Sequence, residues 1–274
     1  MNARLELWSR LLLALTGVLL VFTGLAFFVF SDYAAANFPW NVSVFVAMTI
    51  GGWSLGMGLM ALETFRGWEL PTFASTLVTV WAFCLLELVV VVAFRGVLRT
   101  DHLLTWPYLG ALLAGSASAA FGLPWLWRNR ARLSKGTPAP RLVLLIMVGF
   151  IVLTTALAAA TAVLDGSTSA VFPESLSGFT MRAFSAFFAS LAVGTVPILA
   201  SRCLEPVVAF TRTGLYLLVT ITAAAFLFLH VFDFAAHPGQ LIYIGTYVLA
   251  IVVAVSLLVA YRARVGGAAA RWRP

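Results

Sequence analysis

The sequence predicts an all-α fold, a polytopic membrane helical bundle of about eight transmembrane helices built as two parallel four-helix repeats. Three observations predict it. The 274 residues are 62% hydrophobic and only 10% charged, with a mean hydropathy of +1.02, outside the range of ordinary soluble domains. The apolar residues fall into eight runs of the roughly 20 residues that cross a hydrocarbon core. Landmarks of the first half also return in order in the second. A β-barrel is excluded, because its spans alternate in polarity over about ten residues.

The first run, 11–30, follows Arg4 and Arg10. It is too long for a signal-peptide core and lacks a small-residue cleavage site after Phe30, so it reads as a span. The second, 41–63, opens on Phe38-Pro39-Trp40 and carries Gly51, Gly52, Gly56 and Gly58, with Gly52 and Gly56 forming a GxxxG pair. Such residues let helices approach closely. The third, 72–94, contains Glu87 in the stretch WAFCLLELVVVVAF, and the fourth, 104–126, contains the small-residue run Ala114–Ala120.

Between Arg128 and Arg141 lies the least apolar internal segment, RNRARLSKGTPAPR. It divides the chain into a first repeat, 1–133, a linker, 134–141, and a second repeat, 142–274, with a basic tail. The fifth run, 142–164, holds Ala156 to Ala160 interrupted by Leu157, and the sixth, 179–200, holds Pro197, the one proline expected well inside a span. The seventh, 210–232, ends in His230-Val231-Phe232-Asp233, and the eighth is 240–261. The small faces of the second, fourth and fifth spans are expected to form the seam between repeats. Trp8, Trp40, Trp106, Trp125 and Trp127 fall near span ends, where indoles anchor at headgroups, whereas Trp53 and Trp81 are expected to fill packing space.

The repeat is read from landmarks 134 to 136 residues apart: Phe38-Pro39 with Phe172-Pro173, Gly58 with Gly194, Arg66 with Arg202, and Glu69 with Glu205. Trp106-Pro107 then meets His237-Pro238 at 131. Units of four spans enter the membrane in the same direction, so the copies are parallel. Aligned on Pro71 and Pro206, Glu87 answers Thr222 and His230 answers Arg95.

Alternate loops hold 14 of the 17 basic residues. By the positive-inside rule this predicts a multi-pass protein of the cell (inner or plasma) membrane with both termini cytoplasmic. The net charge of +7 follows from that asymmetry and calls for anionic lipid headgroups, with no nucleic-acid partner. Sixteen arginines to one lysine, in an alanine-rich chain, hint at a GC-rich bacterial genome. Cys84 and Cys203 lie at different depths and neither predicts a disulfide.

Glu87 is the one carboxylate well inside the apolar core, where a charge costs several kcal/mol unless paired, hydrated or protonated. It is a candidate proton or ligand site, weighed against a plain interhelical hydrogen bond. His230 and Asp233, three apart, are read as sharing a helical face, with His230 a candidate relay or cofactor ligand and Asp101, His102 and His237 on the same side. Arg66 with Glu69 and Arg202 with Glu205 are expected to end one helix and start the next, with Glu63 sharing the cation of Arg66. Together the five form a candidate cytoplasmic coupling or docking cluster. Walker A, H-E-x-x-H and G-x-S-x-G motifs are missing, as are paired metal-binding aspartates, so no catalytic residue is assigned.

The function expected from these features is a non-catalytic accessory or structural subunit of a larger membrane assembly, with membrane lipids and other integral membrane proteins as partners. The alternatives are a proton- or cation-coupled transporter or channel using the inter-repeat seam and Glu87, and a cofactor- or pigment-carrying redox subunit using His230. Bound lipid is expected, and no other cofactor is specified.

Overall fold

The computed structural model describes residues 2–70, 72–164 and 172–269. Pro71, Asp165, Arg271 and Arg273 lie outside the described residues. Among those described there are eight helices long and apolar enough to cross a membrane, and no strand. In chain order the helices are α1 (Asn2–Val29), a short α2 (Ser31–Ala36), α3 (Val44–Gly67), α4 (Ala74–Ala93), α5 (Thr105–Arg128), α6 (Arg141–Val163), α7 (Gly178–Ser201), α8 (Leu204–Leu227) and α9 (Gln240–Ala269). Of these, α2 is the one without a counterpart among the expected spans. The helix expected over 210–232 instead begins at Leu204, because Glu205 and Pro206 both suit a first helical turn, and it stops at Leu227.

The ends of the helices explain the spacing of the landmarks. Ser43 caps α3 by accepting the Val46 N–H at 3.2 Å, and Ser177 caps α7 by accepting the Thr180 N–H at 3.2 Å. Each hydroxyl satisfies an amide that the helix itself leaves unpaired. α3 ends on Trp68 (φ 31°) and α7 on Arg202 (φ 53°), the only non-glycine residues with positive φ among those described. Their N–H groups close the last turns onto Thr64 and Ile198. Each of these pairs is 134 residues apart, as are the helix ends Val29 and Val163 and the short 3-10 turns Arg95–Val97 and Leu229–Val231.

At that spacing Glu87 falls on Ile221 and His230 on Gly96, one residue from the pairing set by the prolines. The cause is local: Pro206 belongs to the first turn of α8, whereas α4 starts only at Ala74. The match at 131 also dissolves, since Pro107 lies inside α5 and Pro238 ahead of α9.

α3 is the central helix, packed on α1 by one face and on α8 by another. A Cβ at Gly58 would stand 2.7 Å from Val21 N and 2.9 Å from Gly17 O, and one at Gly51 would stand 2.7 Å from Phe28 N. The α1 and α3 backbones therefore touch through glycine. On the other face Gly56 meets Leu217, and Thr220 donates to the Gly52 carbonyl at 2.9 Å, so the GxxxG pair does lie between the halves. The second contact between halves is α4 on α7, where Gly194 receives Thr79. Trp53 joins them, stacked on Phe187 at 4.3 Å and edge-on to Phe184.

The small faces of the fourth and fifth spans lie elsewhere than expected. Gly115 packs on Cys84 and Gly122 on Trp81, while Ser118 and Ser9 exchange hydrogen bonds of 2.7 and 2.9 Å. That face thus joins α5 to α4 and α1 within the first half. Ala156, Ala159 and Ala160 are exposed. Trp8, Trp106 and Trp127 are exposed as anchors should be, but Trp40 and Trp125 are buried. Loop 37–43 folds inward and carries Trp40 onto Phe179 at 4.2 Å.

The linker is fastened to the second half. Thr137 N donates to both oxygens of Glu205 at 2.8 and 3.0 Å, Leu204 N donates to Thr137 O, and Ala139 N donates to Arg202 O. Pro138 and Cys203 form an isolated antiparallel bridge.

Candidate functional site

Glu87 lies on α4, six residues from its end, and is 1% exposed. The fourth turn of an apolar helix puts it there, and α5 returns alongside α4 to bring Tyr108 to it. The Tyr108 hydroxyl donates to Glu87 Oε1 at 2.7 Å. Oε2 has no hydrogen-bond partner. Tyr108 in turn lies 5.8 Å from the Trp40 ring, whose Nε1 donates to Thr180 Oγ1 at 3.1 Å on α7. A carboxyl, a phenol and an indole thus sit in file beneath the loop that closes this end of the bundle. Cys84, one turn before Glu87 on α4, points its thiol toward the Ala111 carbonyl at 3.9 Å. The chemistry available is a single hydrogen-bonded acid in an enclosed aromatic setting.

At the opposite, basic end the structure builds a different polar site. Glu63 of α3 takes two hydrogen bonds from Arg212 of α8, at 3.1 and 2.7 Å, and a third from the Tyr216 hydroxyl. Its partner is therefore Arg212 across the two halves, not Arg66 one turn away on its own helix. Arg66 is exposed because α3 turns its Glu63 face toward α8. The two R-x-x-E copies also do different things. Glu69 is exposed, while Glu205 holds the linker amide of Thr137. Arg202 occupies the position of Trp68, which donates its indole N–H to Glu6 at 2.8 Å and stacks on Trp125. Burial, and after it the charge of Glu205, holds the Cys203 thiol above its usual range.

His230 and Asp233 are not on one helical face. α8 stops at Leu227, so His230 sits in the following 3-10 turn and Asp233 beyond it, both exposed. Asp233 accepts from Ala236 N at 3.0 Å, which shapes the turn. His102 bonds through Nδ1 to the Phe38 carbonyl at 3.0 Å and stands 3.8 Å from the exposed Asp101. Among the described residues no three His, Cys, Asp or Glu side chains come together as metal ligands would.

The structure adds residues that the pattern of the sequence leaves silent. Tyr108, Trp40, Arg212 and Tyr216 complete the two polar sites, and each reaches its partner over a long chain separation. A cavity of about 250 Å³ also opens within the second half, lined by α6, α7, α8 and α9. Neither Glu87 nor Glu63 lines it.

Fold and site together define a multi-pass α-helical integral membrane protein with an enclosed acid and an apolar cavity. Comparison with models of known families, with curated proteins and with solved structures finds no match.

Proposed function

We propose that the chain is a non-catalytic subunit that scaffolds a larger assembly in the cell membrane, with both termini in the cytoplasm. The observation that carries this reading is the separation of Glu87 from the cavity: the deep carboxyl is enclosed by Tyr108 and its aromatic neighbours, and the cavity is apolar. A carrier needs its ionisable group on the path of its cargo. The two halves act as a doubled scaffold, which the recurrence of caps and turns at a spacing of 134 supports. α6 and α9 supply the lateral face, since only 22% of each span is buried. Native purification from the source membrane should bring down stoichiometric membrane proteins, and a chain that emerges alone overturns the reading.

A second reading keeps one specific observation in its favour. The free Oε2 of Glu87 supports a carrier in which this carboxyl exchanges a proton. Proton-coupled flux in liposomes should then vanish in Glu87→Gln, and flux that persists removes Glu87 as the coupling group.

A further inference from the structure

The two halves differ in how their outer helices meet. In the first, α1 and α5 close on each other through Ser9, Ser118, Gly115 and Gly122, with Trp81 filling the space beside Gly122. At the spacing of 134 residues Val80 and Trp81 fall on Gly214 and Leu215. Val80 and Trp81 are buried, whereas a Cβ at Gly214 would meet nothing within 4 Å. α6 and α9 make no comparable contact with each other, and the cavity lies in the gap between them, with Gly214 on its wall. It opens sideways, for Leu153 and Ile242 line it and are also exposed on the membrane-facing surface.

We propose that this cleft holds one acyl chain of an anionic phospholipid, with the phosphate placed at the basic end beside Arg141. The shape carries the first part. Lining residues run from Ile146 to Thr161 on α6 and from Ile242 to Leu257 on α9, which is roughly 22 Å of helix, most of a hydrocarbon core of about 30 Å. Spread over that length, 250 Å³ makes a slot one chain wide, far too narrow for a helix of about 10 Å diameter.

The lining is apolar, and Thr154 and Thr161 bond to carbonyls of their own helix at 2.8 Å. They ask nothing polar of a guest. The hydroxyls of Tyr243 and Tyr247 are buried in the lining without a hydrogen-bond partner and give water a footing at that one spot; along the rest of the space water finds no polar partners, and unfilled walls forfeit their dispersion contacts. Hydrocarbon suits both conditions.

Charge carries the second part. Val143, Leu257 and Tyr261 belong to one packed cluster at the basic end, so the start of α6 and the last part of α9 come together just beyond the cavity. Arg141 stands exposed there, and α9 continues through Arg262 and Arg264. A phosphate on an arginine forms a charge-assisted, two-pronged bond.

The full chain, reconstituted in vesicles of equimolar phosphatidylglycerol and phosphatidylcholine, tests this with a diazirine on the acyl chain of either lipid. Adducts from phosphatidylglycerol should concentrate on cleft residues such as Leu153, Leu218 and Ala250. Gly214→Leu should lose most of them and keep those on the outward face of α1. Arg141→Gln should erase the preference for phosphatidylglycerol. Adducts spread evenly over all lipid-facing helices, or unchanged by Gly214→Leu, overturn the site. Equal labelling by the two lipids overturns the headgroup assignment. Should Gly214→Leu fail to fold, Ala250→Leu narrows the slot from the other wall, and the wild-type adduct pattern alone still decides. Gly245→Leu, on an exposed position of α9 with open space around it, should label like the wild type.

Discussion

Replacing Tyr108 by Phe removes a single hydroxyl and leaves Glu87 with neither oxygen bonded, because Oε2 is already unpartnered and Oε1 depends on the 2.7 Å bond. The ring stays in place beside Trp40, so packing is unchanged. A buried polar group stripped of its partner costs about 1–3 kcal/mol. At about 1.4 kcal/mol per factor of ten, that shifts the unfolding equilibrium by roughly 5- to 150-fold. The size of the effect depends on Glu87 being present to lose the bond. In a Glu87→Leu background the same change should therefore be nearly neutral, giving a coupling of about 1 kcal/mol or more in a double-mutant cycle. Reversible unfolding in mixed micelles, titrated with dodecyl sulfate and followed by tryptophan fluorescence, measures all four proteins. Free energies that add within about 0.5 kcal/mol would show that the pair does not interact in the membrane, and the account of an enclosed, hydrogen-bonded acid would fail.

In the same assay Gly58→Ala should lose about 1–3 kcal/mol from overpacking against Val21 and Gly17. Gly149→Ala, where nothing lies within 4 Å, should gain about 0.5–1 kcal/mol of helix propensity; a Gly58→Ala protein as stable as Gly149→Ala refutes the glycine contact of α1 and α3. Arg212→Ala should lose about 1 kcal/mol or less, as half-exposed ion pairs do, and the loss should shrink at high salt; a large, salt-independent loss contradicts the exposed pairing. Because the Cys203 thiol is held above its usual range, its neutral form is the one that stabilises the fold. That contribution is complete below the ordinary thiol range and fades as pH rises through it. Maleimide should accordingly label folded Cys203 slowly at mildly alkaline pH, and labelling as fast as in the unfolded chain counts against its burial.

The spans were legible in the sequence because twenty apolar residues have one stable form in a bilayer. Helix caps and turns recur at a spacing of 134 residues, whereas the prolines of the sequence suggest 135 at Glu87, since a proline marks a turn without fixing which turn. What a small-residue face will meet cannot be read from the helix that bears it. Ala114–Ala120 and Gly52 with Gly56 look alike in sequence, yet one packs inside the first half and the other between halves. Glu63 and Arg212 are 149 residues apart, and no local spacing joins them. His230 and Asp233 illustrate the reverse case: a spacing of three means a shared face only while the helix lasts, and α8 ends before them. The cleft is hardest to foresee, because it lies where α6 and α9, about a hundred residues apart in the chain, do not close on each other.

The central position of α3 has a consequence for synthesis. Its Trp53 and Gly56 faces are completed by Phe187 and Leu217, which leave the ribosome more than 130 residues later. At about 5–20 residues per second the wait is roughly seven to thirty seconds. During that time these faces of α3 are covered by something other than their final partners. An insertion chaperone, or loose self-association of nascent first halves, would fill that interval, and the α3–α8 contact forms only once α8 has emerged.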